Sequence, residues 1–172
     1  MTVNAATPPL TDEDRRRWRR WFEAASRGDV DAALRRLYAE LDREVAAHNP
    51  TCWISGKCCR FDAYGHRLYA TGLEIAWLIR QLDATGRDRL DAAELPAMDG
   101  CPFQVDRLCS VHADRPVGCR VYFCDPAAQH WQSETSERHL AALRALHDRH
   151  ALPYAYMEWR AALAEARAAW RE

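Results

Sequence analysis

All seven cysteines of this chain fall in two segments that lack helical periodicity, and none falls on the long amphipathic stretches around them. The first segment reads Cys52-Trp-Ile-Ser-Gly-Lys-Cys58-Cys59, and the second carries Cys101, Cys109, Cys119 and Cys124. A free cysteine packs as a small hydrophobe, and core packing alone would spread such residues over helix stripes. Their segregation points instead to thiols gathered on a metal. An odd count cannot pair fully into disulfides. Residues 1–10 are polar and lack the charged start and apolar run of a signal peptide. We therefore expect a cytoplasmic protein, where thiols stay reduced.

The rest of the chain reads as mainly α, a small helical domain with little or no β-structure. At 172 residues it suits one domain able to bury a core without a metal. An unstructured lead-in is expected over 1–10 and a single domain over 11–172, with 50–126 as the metal-binding region and 134–172 as C-terminal helices. Thr11 is a candidate N-cap for a helix over 11–26. Val30, Leu34, Leu37, Leu41 and Val45 share one face of a second helix over 29–48, which Asn49-Pro50 ends. A short strand is expected over 66–70. Thr71 and Glu74 then form a capping box for a third helix, with Gly86 as its C-terminal stop. A short helix over 88–95 and a longer one over 134–150 follow. After Pro153 a last helix aligns Tyr156, Trp159, Leu163, Ala166 and Trp170. The third helix separates the two cysteine segments, so one helix can bring both to a single site.

The candidate ligands are Cys52, Cys58, Cys59, Cys101, Cys109, Cys119 and Cys124. Structural zinc takes four soft ligands, often as C-x2-C knuckles, and no such pair is present. One C-x2-H, Cys109-Ser-Val-His112, can hold zinc. Iron–sulfur clusters also take thiolates, at more varied spacings. Seven thiols exceed what one centre needs, leaving a surplus for a second metal, for ligand exchange or for packing. The chemistry favours an iron–sulfur cluster over zinc.

These residues resemble the bacterial CxxCxxCC cysteine-cluster family, the YkgJ-type zinc- or iron-chelating domain. Its first signature is matched by Cys52, Cys58 and Cys59 with Phe61 following, and its helix cap by Thr71 and Glu74. Its second is matched in order by Cys101-Pro102-Phe103, Cys109, Arg115-Pro116, Cys119-Arg120 and Cys124. The resemblance spans about residues 50–126. Ser55 stands where the family has a further cysteine, which removes a neighbour of Cys52. The flagellin lysine methylase carries a similar cysteine domain, so the resemblance implies a metal-dependent protein-modifying enzyme as one alternative. A second alternative is a zinc-stabilised interaction domain that docks a protein partner on its terminal tryptophan-bearing helix.

Other residues are weighed against plainer uses. Arg115 and Arg120 sit inside the second segment, where guanidinium groups offset the charge of a thiolate-bound cofactor. His66 and His112 read first as structural histidines. His130, His139, His147 and His150 read as solvated or capping residues. The run from Arg15 to Trp21 reads as an amphipathic helix rather than a nucleic-acid site, because acids precede it and the net charge is only −1. No stretch reaches the ~18 apolar residues of a membrane span. Lys57 is the one lysine of the chain. We expect neither nucleic acid nor membrane as partner.

Overall fold

The computed structural model of the protein describes residues 9–171. Helix α1 (Asp12–Ala25) starts as its sequence dictates. The Thr11 hydroxyl accepts from the Asp14 amide, and the Asp14 carboxylate accepts from the Thr11 amide. The unstructured lead-in expected over 1–10 lies, for residues 1–8, outside the described residues. Leu10 is buried, and its carbonyl accepts from Arg15. Trp18 and Trp21 are fully buried, their indole N–H groups donating to Glu165 and to the Pro153 carbonyl. The tryptophans of the arginine-rich run thus belong to the core and offer no stacking surface.

Helix α2 (Gly28–Ala47) buries the expected stripe together with Tyr38. A 3-10 turn (Lys57–Cys59) and α3 (Phe61–Tyr64) lead to the strand β1 (Tyr69–Thr71). Helix α4 (Gly72–Gln81) follows and is the centre of the core. Residues 72–79 are all buried, Trp77 and Ile75 among them. Helix α5 (Ala84–Ala92), the hairpin β2 (Gln104–Val105) and β3 (Leu108–Cys109), and α6 (Val117–Val121) come next. Helix α7 (Gln129–Arg149), β4 (Tyr156–Glu158) and α8 (Trp159–Trp170) complete the order. The mainly helical class is as expected, and the β-structure is two small antiparallel pairs. In one, Tyr69, Ala70 and Thr71 face Glu158, Met157 and Tyr156. In the other, Gln104 and Val105 face Cys109 and Leu108.

Several expectations need correction. The strand expected over 66–70 is Tyr69–Thr71, and the helix expected over 88–95 is Ala84–Ala92. Gly86 does not stop the third helix. That helix ends at Gln81, and Gly86 lies inside α5, where its amide donates to the N-cap Asp83 at 2.7 Å. Tyr156 is in β4 rather than on the last helix, because pairing with β1 extends the chain up to the Glu158 cap. Helix α7 begins at Gln129, five residues early, after a 3-10 turn capped by Asp125. His139 and His147 are buried, not solvated. His139 meets Glu44 at 3.1 Å, and His147 Nδ1 donates to the Pro153 carbonyl at 2.8 Å. On α8, Trp159, Leu163 and Ala166 are buried within the protein, while Trp170 near its end is exposed.

One buried side chain joins the helix caps to the cysteine segments. Glu74 Oε2 accepts from the amide and hydroxyl of Thr71 at 2.9 and 3.1 Å. Its Oε1 accepts from the Val117 amide at 2.8 Å and the Tyr38 hydroxyl at 3.3 Å. Burial pushes this carboxyl up, against the Val117 and Thr71 donors that hold it down. Both oxygens are acceptors, so the amide of a glutamine would turn its NH2 toward one pair of donors. Glu74→Gln is expected to lower stability by about 1–3 kcal/mol, read from urea unfolding.

His147 generates a prediction of pH dependence. Its hydrogen-bonded Nδ1 leaves a buried Nε2 without a partner among the described residues. Burial holds the ring below the ordinary histidine value of 6.5. Protonation therefore favours the unfolded chain, and stability is lost as pH falls below 6.5. Asp14, Asp31 and Glu44 are held low first by hydrogen bonds from Thr11, Arg35 and Thr135, so their contributions are lost in a lower window. His147→Asn, which keeps a donor, should flatten the stability profile between about pH 7 and 5, measured by urea unfolding.

Candidate metal centre

The cysteine segments are irregular because their backbone groups bond to each other rather than along a helix. The Cys101 amide donates to the Cys59 carbonyl at 2.9 Å. Gln104 donates to the Gly56 carbonyl at 2.8 Å. Gly56 has a φ of 69°, and a Cβ there would lie 2.6 Å from Gln104 Nε2. At Gly100 a Cβ would lie 2.3 Å from the Cys59 carbonyl oxygen, so only glycine allows the segments to approach this closely.

Arginines tie the segments to the helices. The buried Arg160 of α8 reaches Asp62 at 2.9 and 3.1 Å and the Met98 carbonyl at 2.6 Å. It therefore holds the first segment and the approach to the second together. Asp99 adds a cap, accepting from the amides of Asp62 and Ala63 at 3.0 and 3.1 Å. Arg120 is also buried. It donates to Asp42 at 2.7 Å and to the carbonyls of Arg115 and Ala113, with its guanidinium 4.3 Å from the Tyr38 ring centre.

These links place Cys58, Cys59, Cys101, Cys109 and Cys119 around one cavity of about 160 Å³. All seven cysteines are free thiols. The Sγ atoms of Cys58 and Cys59 are 3.9 Å apart. Cys119 is carried by the short helix α6. Arg115 lines the same cavity and donates to the Cys119 and His112 carbonyls. The other two cysteines are not in this wall. Cys52 is exposed, and Cys124 Sγ lies 3.7 Å from Ser55 Oγ. Arg120 is not in the wall either, its donors being committed to Asp42 and to backbone. His66 is in the wall and His112 is not.

Four of these thiols, Cys58, Cys59, Cys109 and Cys119, are pushed toward their protonated form. Cys58 is pushed up first by its contact with the Cys59 thiol and then by burial. Cys59 is pushed up to about 12, led by the Cys101 thiol. Burial raises Cys109, and raises Cys119 well above the ordinary thiol value. The positive charge of Arg115 opposes the shift at Cys58, Cys109 and Cys119. Among the described residues, no three His, Cys, Asp or Glu side chains are already closed into a metal-binding group. The thiols surround a space rather than meet at a point.

Residue spacing does not identify Gly100 or Arg160 as part of this arrangement. Glycine beside Cys101 and an arginine after Trp159 are visible, but their partners lie on distant elements. Compared with family models, curated proteins and solved structures, the chain matches none.

If the Gly100 contact sets the spacing of the two segments, one methyl group is enough to disturb it. Gly100→Ala should destabilise the protein by about 1–3 kcal/mol, as overpacking does, seen as a lower urea midpoint.

Proposed function

We propose that the protein binds a metal centre through its cysteine thiolates, an iron–sulfur cluster in preference to zinc, in a redox, cluster-handling or structural role. The observation that supports this is convergence. Two segments on either side of α4 bring five thiols to one cavity. Cys58, Cys59, Cys101, Cys109 and Cys119 are its ligand supply, while Cys52 and Cys124 lie outside the wall.

The donor set fits such a group. Tetrahedral zinc with Zn–S bonds of about 2.3 Å spaces its sulfurs about 3.8 Å apart, close to the Cys58–Cys59 separation. The cavity of about 160 Å³ carries five thiols in its wall, one more than a tetrahedral ion takes. A bound cluster would supply one-electron chemistry, and Arg115 would offset part of the thiolate charge.

One observation favours a second reading, a metal-dependent protein-modifying enzyme. Tyr69, Tyr122 and Tyr156 line the same cavity and are each partly exposed, so the thiol wall adjoins an open, aromatic entrance. No helix among the described residues is long and apolar enough to cross a membrane.

Purification without oxygen, followed by iron, zinc and sulfide analysis and a visible spectrum, tests the main reading. Bound iron and sulfide with visible absorption are expected. A colourless protein with stoichiometric zinc overturns the iron–sulfur preference, and a folded protein free of metal overturns the whole reading. Cys101→Ser and Cys119→Ser should lower the metal content, whereas Ser55→Ala should leave it unchanged.

A further inference from the structure

His66 is not one of the cysteines, yet its ring is fixed in the wall of their cavity. The imidazole stacks on Tyr122 at 5.1 Å with an interplanar angle of 11°, and meets Phe61 edge-on at 5.5 Å. Packing on both sides restricts its rotation. Its Nε2 lies 3.4 Å from the Cys58 carbonyl oxygen. A carbonyl oxygen only accepts, so Nε2 is the donor in this contact, and Nδ1 is the nitrogen left to offer a lone pair. That Nδ1 is buried and has no hydrogen-bond partner among the described residues.

A buried acceptor left without a partner is costly, and the same N–H to carbonyl contact is what orients a metal-bound histidine. His147 also has an unpartnered ring nitrogen, but it packs against Tyr154 and does not line the thiol cavity. The difference is the surroundings: five thiols share a cavity with His66.

We infer that His66 supplies a nitrogen ligand through Nδ1, so that the centre is a mixed thiolate–imidazole set. This rests on the metal reading proposed above. His112, at the C-x2-H spacing, stays outside the wall and is not that ligand.

The test uses the full-length protein reconstituted with cobalt(II) and, separately, with iron and sulfide. X-ray absorption at the metal edge should find a nitrogen scatterer beside the sulfurs in the wild type. His66→Phe keeps a ring against Tyr122 and should lose that nitrogen while binding cobalt(II) at least about tenfold more weakly. His112→Ala should change neither. A wild-type centre with sulfur neighbours alone overturns the His66 assignment and leaves the metal reading standing. So does a nitrogen that persists in His66→Phe or disappears in His112→Ala. A wild type that takes up neither metal overturns both. Where His66→Phe fails to fold, His66→Gln serves in its place, and a wild-type spectrum without nitrogen overturns the assignment by itself.

Discussion

The carboxylate of Glu74 is the constraint on which the placement of the second cysteine segment depends. It is a cap residue in the ordinary sense, since it closes the box with Thr71 at the start of α4. What sets it apart is that its other oxygen crosses to the Val117 amide, at the start of the helix carrying Cys119. The same oxygen accepts from Tyr38 on α2. A buried carboxylate is expensive unless its lone pairs are filled, and here four donors fill them. The phenol of Tyr38, pushed well above its ordinary value by burial and then by Glu74, stays a donor. Its ring in turn carries the guanidinium of Arg120. Cap, ring and cation form a single buried chain from α4 through α2 to residues 113–120.

The first segment is held differently, by backbone contact and by one arginine. Arg160 bonds to Asp62 and to Met98, so α8 grips both segments at the point where Gly100 lets them touch. The first segment has no ladder of its own, and the second has only the two-residue pairing of β2 with β3. Each therefore takes much of its shape from the helices around it. A scaffold of this kind fixes the backbone of the thiols while leaving each sulfur one torsion of freedom. That accounts for donors which share a cavity without being closed into a ligand set.

The parts legible in the sequence are those whose causes are local. Thr11 and Thr71 cap helices through residues three positions away, and the stripe of α2 repeats within one helix. The parts that were not legible have their causes elsewhere in the chain. Tyr156 lies in phase with the α8 stripe, but its backbone pairs with Thr71, far earlier in the sequence. His139 and His147 look like surface residues until Glu44 and Pro153 are placed beside them. The cysteine site shows the same division. Segregation of the thiols marks the site, but spacing does not say which of them turn inward. Arg115 and Arg120 are five residues apart and of one type. One faces the thiols and the other faces Asp42, a difference set by where α2 packs.

Cys58, Cys59, Cys109 and Cys119 are all pushed toward the thiol form, so a metal bound there would displace protons, and each thiolate formed would add a negative charge to a partly buried place. Four thiolates on a divalent ion leave two negative charges. Arg115 is the guanidinium that acts on Cys58, Cys109 and Cys119. Arg67 lines the cavity as well and also acts on Asp62. An imidazole in place of one thiolate would lower the negative charge of the centre by one. With the imidazole proposed for His66 and three thiolates on one metal, two of the five thiols of the cavity would be left free to exchange or to pack.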